Sequence, residues 1–212
     1  MKGVRFGELH SYDDFSLILT DKTIGKAEPK TSNVDIEGMD GSLDLTEYFG
    51  DVKYKNRKLT FEFSTIIPMN EFLNLYSNIQ NKLNGKYLKI ILDEDPDFYY
   101  IGRLNVNDWK SNKRIGKITI EADCEPYKYR INETVLSYVL KDTIDLYLDN
   151  LKKLVVPTIT TDSEIQITFE DTCYSLSPGT WEIDDIILKP GINKMAVIGT
   201  GNITIQYKEG GL

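Results

Sequence analysis

KLTFEFST, residues Lys58 to Thr65, decides the fold class. Leu59, Phe61, Phe63 and Thr65 alternate with Lys58, Thr60, Glu62 and Ser64, and a period of two puts the first set on one face of an extended strand and the second on the other. The same period returns at Ile118, Ile120, Ala122 and Cys124 against Lys117, Thr119, Glu121 and Asp123, a register that turns the Cys124 thiol inward. Between these strands, Lys86 to Asp93, the polar turn Glu94-Asp95-Pro96-Asp97 and Phe98 to Val106 read as a hairpin with a short loop. One segment breaks the pattern. Phe72, Tyr76, Ile79 and Leu83 recur at three- and four-residue steps, with Asn70 to cap the start and Gly85 to stop the end. This predicts one amphipathic helix leaning its apolar stripe on a sheet.

After Cys124 the text changes. Glu125-Pro126-Tyr127-Lys128-Tyr129-Arg130 carries proline and aromatics, the lysines thin out, and no helical period returns. A domain boundary is expected near residue 131, giving domains 1–131 and 132–212. The second part offers short strands separated by turn chemistry. Asp145 to Leu148 ends in Asp149-Asn150, Ile165, Ile167 and Phe169 alternate, and Ser177-Pro178-Gly179 turns into Trp181 and Ile183. Lys189-Pro190-Gly191 turns again, and Gly199-Thr200-Gly201-Asn202 leads to Ile203, Ile205 and Tyr207. Strands at this spacing indicate a β-sandwich of about 80 residues. The expected fold is mainly β: an N-terminal β-sandwich or barrel-like domain with one packed α-helix, followed by a C-terminal β-sandwich.

The 212 residues, 27% charged and 41% hydrophobic, have the profile of a globular protein. The net charge of −8 is uneven, with 19 Lys+Arg against 21 Asp+Glu in residues 1–130 but 6 against 12 in 131–212. Duplex nucleic acid requires clustered positive charge, so sequence-specific nucleic-acid binding is set aside. Apolar runs such as Met195 to Ile198 are far shorter than the roughly 18 residues that cross a bilayer, and MKGVRFGELH lacks an apolar signal core. No membrane association and a cytoplasm-like compartment are expected. Cys124 and Cys173 have no metal-ligand spacing and both read as small buried hydrophobes.

Candidate chemistry is sparse. Asp93, Asp95 and Asp97 imitate the opening of a calcium loop, but the sixth position is Phe98 instead of glycine and the twelfth is Leu104 instead of Glu. Gly199-Thr200-Gly201 runs into a strand, which is the context of a hairpin turn and not of a phosphate loop. The single histidine, His10, has no nucleophile elbow around it and reads as a surface or interface side chain. Many carboxylates exist and nothing in their spacing selects a hydrolytic pair. No catalytic, cofactor-binding or metal-binding residue is assigned, and no cofactor is expected. Among Tyr174, Trp181 and Tyr207, an exposed Trp181 would stack on a sugar ring, whereas alternation with Ile183 favours a core position.

Several segments together resemble the distal tail protein family of long, non-contractile-tailed bacteriophages and their prophage relatives. The first part of the likeness rests on Val34-Asp35-Ile36-Glu37-Gly38-Met39-Asp40-Gly41-Ser42-Leu43-Asp44-Leu45-Thr46, the strand Lys58 to Ser64, and Gly102-Arg103-Leu104 leading to Trp109 and Glu125-Pro126-Tyr127. The second rests on Val156-Pro157-Thr158-Ile159, Gly191-Ile192-Asn193, and Gly199-x-Gly201-x-Ile203-x-Ile205-x-Tyr207 with the tail Gly210-Gly211-Leu212. The set is colinear over essentially the whole chain. The resemblance implies a virion structural protein of the phage tail tip, or baseplate, assembled in the bacterial host cytoplasm. Its first domain would form a homohexameric ring with itself, joining the tail tube protein to the tail-tip (tail-associated) protein around a DNA channel. Its second would be a galectin-like β-sandwich on the periphery. Some relatives carry carbohydrate-binding insertions; here the turns have ordinary length, and a carbohydrate-binding, host-wall adhesin module is the alternative function.

Within VDIEGMDGSLDLTEYFG, Val34 to Gly50, Asp40-Gly41-Ser42 can turn tightly because glycine accepts a positive φ. Val34, Ile36, Met39, Leu43 and Leu45 are the candidate subunit-interface residues. An extended arm there would pair its backbone with a neighbouring subunit; an ordinary hairpin inside the first domain is the other reading.

Overall fold

The computed structural model describes residues 3–48, 50–112 and 115–212; Phe49, inside the Val34–Gly50 segment, lies outside the described residues. The chain divides into two compact units, Met1–Lys128 and Tyr129–Gly211, and strands dominate both.

The first unit contains β1 (Val4–Phe6), β2 (Leu9–His10), β3 (Ile18–Ile24), β4 (Asn33–Asp35), β5 (Ser42–Asp44) and β6 (Arg57–Thr65). A 3-10 turn at Met69–Glu71 then leads into α1 (Phe72–Leu83), followed by β7 (Tyr87–Leu92), β8 (Asp95–Val106), β9 (Lys110–Ser111) and β10 (Gly116–Cys124). The main sheet runs β2-β1-β7-β8-β10-β6-β3, with β9 added on β10. Strand β6 alternates as its sequence demands: Leu59, Phe61 and Phe63 are buried and face Ala122, Ile120 and Ile118 of β10 in register. Three strands separate β1 from β6, which in a flat sheet would stand about 19 Å apart. Yet the Phe6 and Phe61 rings meet edge to face at 5.8 Å. The sheet is therefore rolled, barrel-like, around a shared apolar interior. Lys22 of β3 pairs with Glu94 in the β7–β8 turn, a second tie across the roll.

Helix α1 buries Phe72, Ile79 and Leu83, and the last two join the rolled core. Its C-terminus is stopped as expected: Gly85 has φ +74° and its N–H donates to the Leu104 carbonyl at 2.9 Å. The start differs from expectation. Asn70 belongs to the 3-10 turn, Glu71 occupies the N-cap, and no side-chain capping bond forms. The hairpin turn also moves, since Leu92 pairs with Asp95 and the turn is Asp93-Glu94, with Asp95-Pro96-Asp97 drawn into β8. Proline is tolerated near the start of a strand because a ladder donor is not required there. Lys128 fixes Asp95 at 2.7 Å.

Strand β11 (Lys128–Arg130) begins at the last residue of the first unit, and the second unit goes on through β12 (Thr134–Leu140), β13 (Thr143–Asn150), β14 (Thr158–Thr161) and β15 (Ile165–Phe169). It continues through β16 (Thr172–Leu176), β17 (Gly179–Glu182), β18 (Gly191–Gly199), β19 (Gly201–Tyr207) and β20 (Gly210–Gly211). Two four-stranded sheets, β12-β19-β14-β17 and β13-β18-β15-β16, enclose one core that includes Leu146, Leu148, Ile159, Ile167, Val197, Ile203 and Ile205. This is a β-sandwich. Gly199-Thr200-Gly201 is not a hairpin turn, because β18 and β19 lie in different sheets; it is a corner that carries the chain across the core. Asp162 clamps the corner, accepting from the Asn202 N–H at 2.7 Å and from its side-chain amide at 2.6 Å. Gly201 has φ +110°, a backbone conformation that L side chains rarely adopt, and a Cβ there would also lie 2.3 Å from Ser163 Oγ. Asp149-Asn150 likewise closes no turn but ends β13, and buried Asn150 donates to the carbonyls of Lys153 and Leu188.

Cys124 is fully buried, and burial pushes its thiol up to about 12. Cys173 is exposed on the edge strand β16, contrary to the expectation of a buried hydrophobe. His10 is also corrected: it is buried, not a surface side chain. Its Nε2 lies 3.1 Å from Asp93 and its Nδ1 3.0 Å from Asp13, while Asp93 also accepts the Gly3 N–H at 2.7 Å. The imidazole thus ties the β1–β2 hairpin to the β7–β8 turn.

Candidate functional site

Between β3 and β6 the chain leaves the rolled sheet for residues 25–56 and returns. None of the described residues in this excursion is buried, and every residue from 28 to 44 is exposed. Its stem is antiparallel backbone: Lys55 N–H donates to Glu28 at 2.8 Å, Lys30 N–H to Lys53 at 2.7 Å, and Pro29 bridges Tyr54. At its base the Tyr54 and Tyr127 rings meet edge to face at 6.1 Å. Farther out, Leu45 N–H donates to Ser32, and β4 pairs β5 through Asn33↔Asp44, Val34↔Leu43 and Asp35↔Ser42.

The tip spans residues 36–41 and is wider than the tight turn expected at Asp40-Gly41-Ser42. Ser42 lies in β5, where its hydroxyl bonds the Asp35 carboxylate at 2.5 Å. Gly38 and Gly41 have φ of +84° and +78°, the left-handed region that glycine enters without a steric penalty. Thr46 donates its hydroxyl and its N–H to Asp44 and so holds that carboxyl below its usual range. The segment is therefore a hairpin made of its own hydrogen bonds.

Its side chains are sorted even though no core covers them. Val34 and Leu43 are cross-strand partners on one face, while Asn33, Asp35, Ser42 and Asp44 take the other. Val34, Ile36, Met39 and Leu43 are 42–46% exposed, and Leu45 is half-buried. Residues 34–50 carry five carboxylates and no Lys or Arg. With only two strands in its sheet among the described residues, the arm leaves the outer edge of each strand outside any ladder, the condition for adding a strand from another chain.

Trp181 stands on the edge strand β17 and is 37% exposed, outside the sandwich core. The core position favoured by its alternation with Ile183 is therefore not the one found; Ile183 alone packs against that core. Sequence reasoning missed another exposed apolar group, Ile66, Met69 and Leu73, at the connection from β6 into α1. The unbroken Ile66-Ile67-Pro68-Met69 run, which fits neither period, was its signal. Among the described residues no group of three or more His, Cys, Asp and Glu side chains is placed to hold a metal ion, and no helix is long and apolar enough to cross a membrane.

No family model matches the chain, and no curated protein sequence matches it. Among solved structures it is similar to the crystal structure of the SPP1 Dit (gp 19.1) protein, described as a paradigm of the hub adsorption apparatus in phages infecting Gram-positive hosts. The TM-score is 0.75, the sequence identity 16%, and the match covers 100% of both chains. The chain has a Dit-like fold.

Proposed function

We propose that this chain is a structural subunit of a long, non-contractile bacteriophage or prophage tail and transforms no substrate. Copies of it form a homohexameric ring at the tail end, joining the tail tube protein to the tail-tip protein around a channel for DNA. Residues 1–131 make the ring and residues 132–212 form a peripheral domain. The protein is assembled in the host cytoplasm and resides in the virion.

The arm is the observation that carries this reading. A two-stranded hairpin by itself is marginal in water, and this one presents Val34, Ile36, Met39 and Leu43 to solvent. Another chain would bury that face and pair one of the free edges. A contact in which the arm of one copy engages a different surface of the next is heterologous, and such contacts close into a ring when the rotation permits. The full-length likeness to a phage hub protein supports the same reading.

Replacing Ile36 and Leu43 together by Asp tests it. Light scattering at high protein concentration is expected to show the ring mass for the unaltered chain and monomer for the variant. At dilution, where both chains are monomers, the melting temperature should stay the same, because neither side chain belongs to an apolar core. A variant that still assembles would remove the arm from the interface.

A further inference from the structure

On the second unit, a groove of about 560 Å3 opens beside Trp181, within the range of small-ligand sites, roughly 300–1,000 Å3. Its floor is a single row across three strands: Ser175 of β16, Gln166 of β15 and Ile198 of β18 are register partners whose side chains face solvent. Trp181 forms a wall, and Glu164 and Ser177 complete the rim.

Three features of this groove converge on one ligand chemistry. The indole is fixed, because its Nε1–H donates to the Ser177 carbonyl at 2.9 Å, so little side-chain freedom remains to be lost when something stacks on it. Its π face is electron-rich and attracts the positive ends of C–H bonds, and Ile198, 44% exposed, adds an apolar contact. The Gln166 amide, with two donors and an acceptor, makes no side-chain hydrogen bond in the described residues, and neither do the Ser175 hydroxyl and the Glu164 carboxylate. A flat C–H face with hydroxyls around its rim is the surface of a pyranose.

Charge narrows the class. The lining holds no Lys or Arg and one carboxylate, and residues 129–211 carry 12 Asp+Glu against 7 Lys+Arg. A phosphate- or uronate-bearing polymer would meet repulsion with no cation to offset it.

We propose that this groove is a binding site for a neutral saccharide, with Trp181 stacked on the C–H face of one pyranose and Gln166 bridging two adjacent hydroxyls. The site stands apart from ring formation, which uses the arm, so either proposal can fail without the other.

Titration calorimetry of the full chain with methyl β-glucoside, methyl β-galactoside, N-acetylglucosamine, cellobiose and lactose tests it, with glucuronic acid and glycerol phosphate as acidic comparisons. Saturable binding of at least one neutral sugar is expected. It should be lost in Trp181→Ala and weakened about tenfold in Gln166→Ala, the scale of one lost hydrogen-bonding group. Gln166 is exposed, so its variant decides the matter if Trp181→Ala fails to fold. No binding of any neutral sugar, a preference for the acidic probes, or binding indifferent to Gln166→Ala would overturn the proposal.

Discussion

Cys124 and Cys173 carry the same thiol into opposite surroundings. The first lies under the rolled sheet with its thiol pushed up to about 12 by burial, and the second is exposed on an edge strand. Only thiolate reacts with an aromatic disulfide reagent, so one thiol should be modified promptly in the native protein and the other only after denaturant is added. Prompt reaction of both would contradict the assigned register. Asp162 offers a pH test. The Asn202 backbone N–H, and then its side-chain amide, hold the Asp162 carboxyl below its usual range. A depressed acid contributes stability above its unfolded pKa and loses it as the pH falls through the folded one. The melting temperature of Asp162→Ala should therefore lie below that of the unaltered chain at about pH 6, and the gap should narrow as the pH falls below the ordinary carboxylate range of about 3.9. A gap independent of pH would mean that the charge plays no part at the corner. Period two was enough to place Cys124, because its strand is central and one face is covered. It could not place Cys173 or Trp181, since alternation names a face but not whether an edge strand's face is covered. His10 was illegible for another reason: its partner Asp93 is distant in sequence and meets it only through strand pairing.

At the scale of elements, helix α1 and the arm are opposites. The helix is stabilised by tertiary burial, so Ile79→Ala should cost about 2–5 kcal/mol in denaturant unfolding, whereas Leu73→Ala, on the exposed face, should stay within about 0.5 kcal/mol. Equal losses would mean that Leu73 is covered in solution. The 3.6 period made the helix and its glycine stop readable. Its start was not, because Asn70 is a good cap by type yet the chain tightens into a 3-10 turn first. The β7–β8 hairpin was legible apart from its turn, where the acidic cluster and Pro96 looked like loop chemistry and the ladder extended through them. The corner at Gly199-Thr200-Gly201 looked like a hairpin because local sequence specifies a reversal without saying which sheet receives the next strand. For the arm, the glycines and the alternation of Val34 and Leu43 with acids were visible. That the hairpin would be left uncovered, with its turn widened to residues 36–41, depends on what surrounds it.

For the whole molecule, the sandwich of the second unit is built by a chain that changes sheets repeatedly: β12, β14, β17 and β19 fall in one sheet and β13, β15, β16 and β18 in the other. Strand number and spacing were readable, but this pairing depends on long-range contacts that no local pattern encodes. The mainly β class followed from the period alone. The distal tail resemblance, carried by scattered glycines and short apolar runs, anticipated a fold that the full-length structural match bears out at 16% identity. The physical basis for assembly is a 32-residue excursion, 25–56, without a buried residue among those described. Electron microscopy of the purified full chain at high concentration is its most direct test. Closed six-fold rings with a central opening are expected, and particles that remain single 24.3 kDa subunits across the whole concentration range would contradict assembly.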